Sequence, residues 1–168
     1  MVVDSIERAI WREYWRQSLV CLPNYCPFGW WENDLYRVTK AGRWIEYEIK
    51  RSRGDFLADR SKSQTRRGVV RNKHELLAQG DPSGPSRFYF VIPAGLAIEP
   101  PDWAGLIAVK TYRCGMRPTI VRSAPALHNQ VVAETAVPLA MKTAYYRFSE
   151  RPFASSIGFM DQQDGEGI

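Results

Sequence analysis

Residues 44–50 read Trp-Ile-Glu-Tyr-Glu-Ile-Lys, WIEYEIK, and the reading of these seven residues decides the fold. Side chains alternate along a β-strand, so Ile45, Tyr47 and Ile49 share one face and Trp44, Glu46, Glu48 and Lys50 the other. The first row is assigned to the core. The second is expected on an open, half-wet face, with Glu46 meeting solvent or an arginine. Upstream, Asp34–Thr39 reads as a second strand, joined to Arg43–Lys50 by Lys40-Ala41-Gly42. A three-residue loop ending in Gly forms a type I turn followed by a left-handed residue. That loop sets a register: Thr39 faces Arg43, Val38 faces Trp44, Tyr36 faces Glu46, and Asp34 faces Glu48. Two carboxylates opposed across strands, with Cβ atoms about 5 Å apart, repel.

Working outward, residues 4–18 predict a helix, with Ile6, Ala9, Ile10 and Tyr14 at helical spacing and Asp4-x-x-Glu7 as a capping box. Residues 19–25 form a short strand interrupted by Pro23, and Pro27 to Trp31 a loop. Ser52 caps a short helix through Phe56-Leu57-Ala58. Residues 72–79 are helical and end at Gly80. Arg87–Ile92 is a buried strand, with further strands at Gly105–Val109 and Thr119–Arg122. Residues 127–149 are helical with a break or kink at Pro138. One domain is expected over residues 1–154, and 155–168 form a frayed tail.

The chain has 168 residues and a net charge of +5, which suits one domain and permits a polyanionic partner. Cys21, Cys26 and Cys114 are an odd set without zinc spacing, read as free thiols of a reducing compartment. The longest apolar run, near Phe88–Ile98, is broken by Pro93 and Gly95 and is short of the ~20 residues of a membrane span. A cytoplasmic protein that does not enter membranes is expected.

The repulsion between Asp34 and Glu48 disappears if a divalent cation sits between them. Hard oxygen ligands suit Mg²⁺ or Mn²⁺, and the Ile49 carbonyl could add one more. Lys50 would then stand at the rim, next to a metal-bound water or a phosphate oxygen. Such a group lowers the pKa of a bound water and stabilises charge growing on phosphorus. The chemistry this points to is phosphodiester hydrolysis. The competing reading is an ordinary charged strand face.

Asp34, thirteen residues, then Glu48-Ile49-Lys50 resembles the PD-(D/E)XK nuclease motif. The blocks EYEIKRSRGDFLADRSK, KHELLAQG, GPSRFYFVIP, DWAGLIAV and IVRSAPALH resemble the MmcB-like DNA repair branch and its phage and bacterial relatives, over residues 30 to 128. The resemblance implies a restriction-endonuclease-like α/β fold, a mixed sheet flanked by helices. It implies Asp34 and Glu48 as metal ligands and Lys50 as the catalytic lysine. Many members add a glutamate from the first helix. Glu7 is the candidate here, in competition with its capping role. Glu32 is a candidate auxiliary ligand.

From Lys50 to Lys73 nine bases face two acids, a balance of +7, which leaves −2 for the rest of the chain. Lysine and arginine contacts to phosphate supply most non-specific affinity for nucleic acid. Arg53, Lys62, Arg66, Arg67, Lys73 and His74 are therefore candidate DNA-backbone contacts, with a solvated loop as the alternative. His74 could instead be structural, as His128 is expected to be. Asp55 and Asp59, four apart, are expected to pair with Arg51, Arg60 or Lys62 and fix this segment. The first expectation is a metal-dependent nuclease acting on DNA, alone, as a homodimer or with a repair or replication protein. Two others are a non-cleaving DNA-binding module and an interaction protein using exposed Trp30 and Trp31.

Overall fold

The hairpin forms as its residues dictate. In the computed structural model, which describes residues 5–66 and 68–149, strand β2 (Asn33–Thr39) pairs antiparallel with β3 (Trp44–Ile49). Val38 lies opposite Trp44 and Tyr36 opposite Glu46, the register the turn requires. Gly42 has φ +73°, and its N–H donates to the Thr39 carbonyl at 2.9 Å, closing the loop. The ladder ends at Leu35 and Tyr47. One step beyond it, the Asp34 carboxylate takes over as acceptor for the Ile49 N–H, at 2.6 Å.

The remaining strands are β1 (Ser18–Tyr25), the short hairpin β4 (Ser63–Arg66) and β5 (Val69–Asn72), β6 (Arg87–Pro93), β7 (Gly105–Tyr112) and β8 (Gly115–Arg122). Six of them form one mixed sheet in the order β1-β2-β3-β6-β7-β8. β6 runs parallel to both β3 and β7 at its centre, and its residues Phe88 to Ile92 are all buried. Pro23 is tolerated because β1 is an edge strand, where a missing N–H need not break a ladder. The basic segment is no loop: its second half is the β4–β5 hairpin.

Both faces of the sheet are covered. Helix α1 (Ile6–Tyr14) packs Ile6, Ala9 and Ile10 over Ile45, Tyr47, Ile49, Tyr89 and Val91. Its N-cap is Ser5, whose Oγ accepts the Arg8 N–H at 3.2 Å. That is one residue later than the Asp4-x-x-Glu7 box, and Asp4 lies outside the described residues. The opposite face carries Tyr36, Val38, Trp44, Phe88 and Phe90. It is covered by helix α2 (Arg53–Ala58) through Phe56, α3 (Lys73–Gln79) through Leu77, and α4 (Ala136–Ser149) through Ala140. Burying each such large apolar side chain is worth about 1.5–3 kcal/mol.

The coverage of that second face overturns three expectations. No residue of β3 is exposed, so Glu46, Glu48 and Lys50 are not on a wet face. Trp30 and Trp31 retain only 2% and 7% exposure, because they pack edge-to-face on each other and Trp30 packs edge-to-face on Trp44, so they present no interaction surface. Residues 127–135 form an irregular segment rather than a helix, held by the Val132 N–H on the Gly42 carbonyl and the Leu127 N–H on the Ser86 carbonyl. Pro138 lies in the first turn of α4, where its missing N–H would have no partner, so it does not break the helix. The tail over 155–168 lies outside the described residues.

Candidate active site

The site grows from the C-terminal end of β3. Glu48 points into the covered face, and three ammonium groups converge on its carboxylate. Lys50 and Lys62 reach Oε1 at 2.9 and 2.7 Å, and Lys73 reaches Oε2 at 2.8 Å. Each cation comes from a different element. Lys50 ends the strand, Lys62 follows α2, and Lys73 opens α3. Lys50 also donates to Asp59 Oδ1 at 2.7 Å, and His74 Nε2 lies 2.7 Å from Asp59 Oδ2. Asp59 sits just after α2, which Ser52 caps by accepting the Asp55 N–H at 3.1 Å.

Deeper on the same face, Glu46 is fully buried. Its Oε1 is 2.6 Å from the Lys73 ammonium and its Oε2 accepts the Trp30 indole N–H at 2.8 Å. Burial is the dominant influence on Glu46 and pushes its carboxyl up to about 7, although Lys73 works against it. Burial would raise Glu48 as well, but the surrounding Lys73, Lys62 and Lys50 outweigh it and hold that carboxyl low. Asp59 is likewise held well below the usual range, burial being overcome by His74 and Lys50. Lys50 is desolvated, which disfavours its charge, yet Glu48 and Asp59 raise its pKa above the ordinary value. Lys50 is therefore a charged donor at neutral pH rather than a base.

Asp34, Glu48, Ile49, Lys50, Asp55, Ala58, Asp59 and Lys62 line an open cleft of about 330 Å³. Here the carboxyl of Asp34 is raised, first by burial and then by the charge of Glu48, against the Ile49 N–H that steadies it. The two carboxylates thus do sense each other, as the turn register requires. The donor set is hard oxygen, and carboxylates outnumber ammonium groups along the cleft wall. Asp34 and Glu48 fit a divalent cation on that count. Among the described residues, no group of three or more His, Cys, Asp or Glu side chains is arranged to hold a metal ion.

The other candidates are placed as follows. Glu7 pairs with Arg51 at 2.7 Å and does not line the cleft. Glu32 is exposed and does not line it either. Lys73 cannot touch DNA, being fully buried between Glu46 and Glu48, which corrects the expectation of a phosphate contact. His74 is turned towards Asp59 and packs edge-to-face on Trp103. Lys62 stays about a third exposed while holding Glu48. Arg53 is exposed at the start of α2. Arg66 ends β4, and Arg67 lies outside the described residues.

Asp55 fixes the chain by accepting the Arg51 N–H at 3.2 Å, close to its expected role. Asp59 does more than expected, linking Lys50 to His74. The sequence held a signal for Lys73 that the charge count obscured. Lys73 and Leu77 are four apart on one helix, so they share a face, and Leu77 is core.

Among the described residues no helix is long and apolar enough to cross a membrane. No protein-family model matches the chain, and no curated protein matches it. A solved structure, the SPO1766 protein of unknown function from Silicibacter pomeroyi, is similar to it with a TM-score of 0.60 at 19% identity. The match covers 93% of this chain and 94% of that one. It extends over the α/β architecture with its six-stranded mixed sheet, and at this identity the likeness is one of fold alone.

Proposed function

We propose that the protein is a metal-dependent nuclease that hydrolyses DNA phosphodiester bonds on a restriction-endonuclease-like fold, in bacterial or phage DNA repair or processing. The observation that carries this reading is the meeting of Asp34, Glu48 and Lys50 in one open cleft, with the two carboxylates close enough to perturb each other. Asp34 and Glu48 would hold Mg²⁺ or Mn²⁺. Bound there, the ion supplies an acidified water and positive charge at the phosphate. Lys50, kept protonated by Glu48 and Asp59, donates to a phosphate oxygen or to the attacking water and adds charge where the transition state is most negative. Asp59 and His74 hold Lys50 in place. Lys62, about a third exposed in the cleft wall, and the exposed Arg53 at the start of α2 suit a DNA backbone.

A second reading is favoured by a specific contact set: both Glu48 oxygens already accept ammonium groups. In that arrangement the lysines take the place of a cation, and the protein is a DNA-binding module that does not cut. The two separate when the pure protein is incubated with single-stranded, nicked and branched DNA in Mg²⁺, Mn²⁺ or EDTA. The nuclease reading expects metal-dependent cutting that Glu48→Gln abolishes while binding persists. Salt-sensitive binding with no cutting of any substrate would leave the second reading standing.

A further inference from the structure

The exposed side of α1 is the most unusual surface among the described residues. Trp11 and Trp15 are 37% and 42% exposed. They are four residues apart and stack on each other, with centroids 5.2 Å apart and planes within 3°. The Arg16 guanidinium lies over the Trp15 ring, 5.4 Å from its centroid, so the aromatic pair already carries a cation. Arg8 and Arg12 are likewise four apart on α1, and Arg16 follows in the 3-10 turn Trp15–Gln17, so three arginines flank the pair.

The direction of this stack is informative. Glu7, Trp11 and Trp15 form one row along the helix, and Glu7 is tied to Arg51, the residue after Lys50. Glu7 does not line the cleft, but this ion pair ties the start of the row to the chain end of β3, and the row reaches Trp15 about 12 Å further on at 1.5 Å per residue. Tyr14 fixes the end of the helix on the sheet, stacked on Tyr47 at 5.6 Å with the Arg37 guanidinium 4.5 Å from its ring centroid.

We infer that Trp11 and Trp15 are a stacking platform for an unpaired base, so that single-stranded DNA leaving the cleft runs along α1 with its phosphates on the flanking arginines. This rests on the DNA reading above and names the form of DNA it takes. Parallel aromatic faces flanked by cations suit single strands, whose bases are free to stack, while the bases of a duplex are already stacked on each other.

The test is binding by the full chain in EDTA, so that cutting plays no part. The probes are labelled oligothymidylate, a duplex of matching length and phosphatidylserine vesicles. Trp11→Ala should weaken oligothymidylate binding by roughly tenfold, the size of one base–aromatic stack, and leave duplex binding unchanged. Trp11→Phe should restore most of the loss, and quenching of tryptophan fluorescence by the oligonucleotide should drop in both variants. An equal loss on duplex and single strand, or no loss on either, overturns the platform while DNA binding stands. Binding to neither form overturns the DNA reading and the platform with it. A response of these tryptophans to vesicles but not to DNA overturns it in favour of a membrane contact.

Discussion

Glu46 and Glu48 stand two residues apart on one face of β3, and both meet the Lys73 ammonium, yet they are different groups. Glu46 is sealed beneath Trp30 and has a single cation. Glu48 opens onto the cleft and has three. Burial therefore wins at Glu46 and raises it, while attraction wins at Glu48 and keeps it ionised. One residue type in one local sequence context does two jobs. The inner glutamate anchors Lys73, and Lys73 in turn holds the outer glutamate at the wall of the cleft.

The contrast is broken most completely at Lys73. Lys73→Met leaves two buried carboxylates short of a partner and should cost about 3–5 kcal/mol, read from urea unfolding. A cost below about 1 kcal/mol would mean that the inner pair is not the anchor described.

The next largest effect is a pH dependence. Glu46 has a folded pKa of about 7, above its ordinary value of 4.5. The native state then holds the extra proton between those two values, so the group's contribution is present below about 4.5 and lost as pH rises through 7. Glu48 and Asp59 shift the other way, and their contribution is lost only as pH falls below the ordinary carboxylate range. The stability of the parent relative to Glu46→Gln should therefore decline across this window, by no more than about 1.4 kcal/mol per pH unit. A difference that stays flat with pH would show Glu46 to be fully ionised throughout.

The smallest effect sharpens the outer end. Lys62 is about a third exposed, so its attraction to Glu48 is partly screened. Lys62→Ala should cost about 1 kcal/mol or less. Parity with Lys73→Met in the same unfolding experiment would erase the distinction between sealed and open ends.

Much of this was legible beforehand. The Lys40-Ala41-Gly42 turn set the β2–β3 register, because a left-handed glycine in a three-residue loop admits few strand offsets. Asn72 and Gly80 bracketed α3, since one side chain satisfies the Glu75 N–H and the other residue accepts φ +66°. The irregular run at 127–135 was not legible, because its backbone partners, Gly42 and Ser86, lie far off in the chain. Asp59 was seen as a clamp for its neighbours, while its links to Lys50 and His74 depend on how α2 and α3 meet over the sheet.

By itself the sequence determined that Asp34, Glu48 and Lys50 lie at one end of one hairpin, because alternation and turn length are local matters of backbone geometry. Only the tertiary structure decided which charges are buried. Solvent exclusion over β3 depends on Trp30, Phe56, Leu77 and Ala140 arriving from four separate segments to form one roof. Burial is also what separates Glu46 from Glu48, and it turned Lys73 from an expected surface contact into an internal cation. A charge count along the chain cannot register that, since the free energy of a charge depends on the water around it.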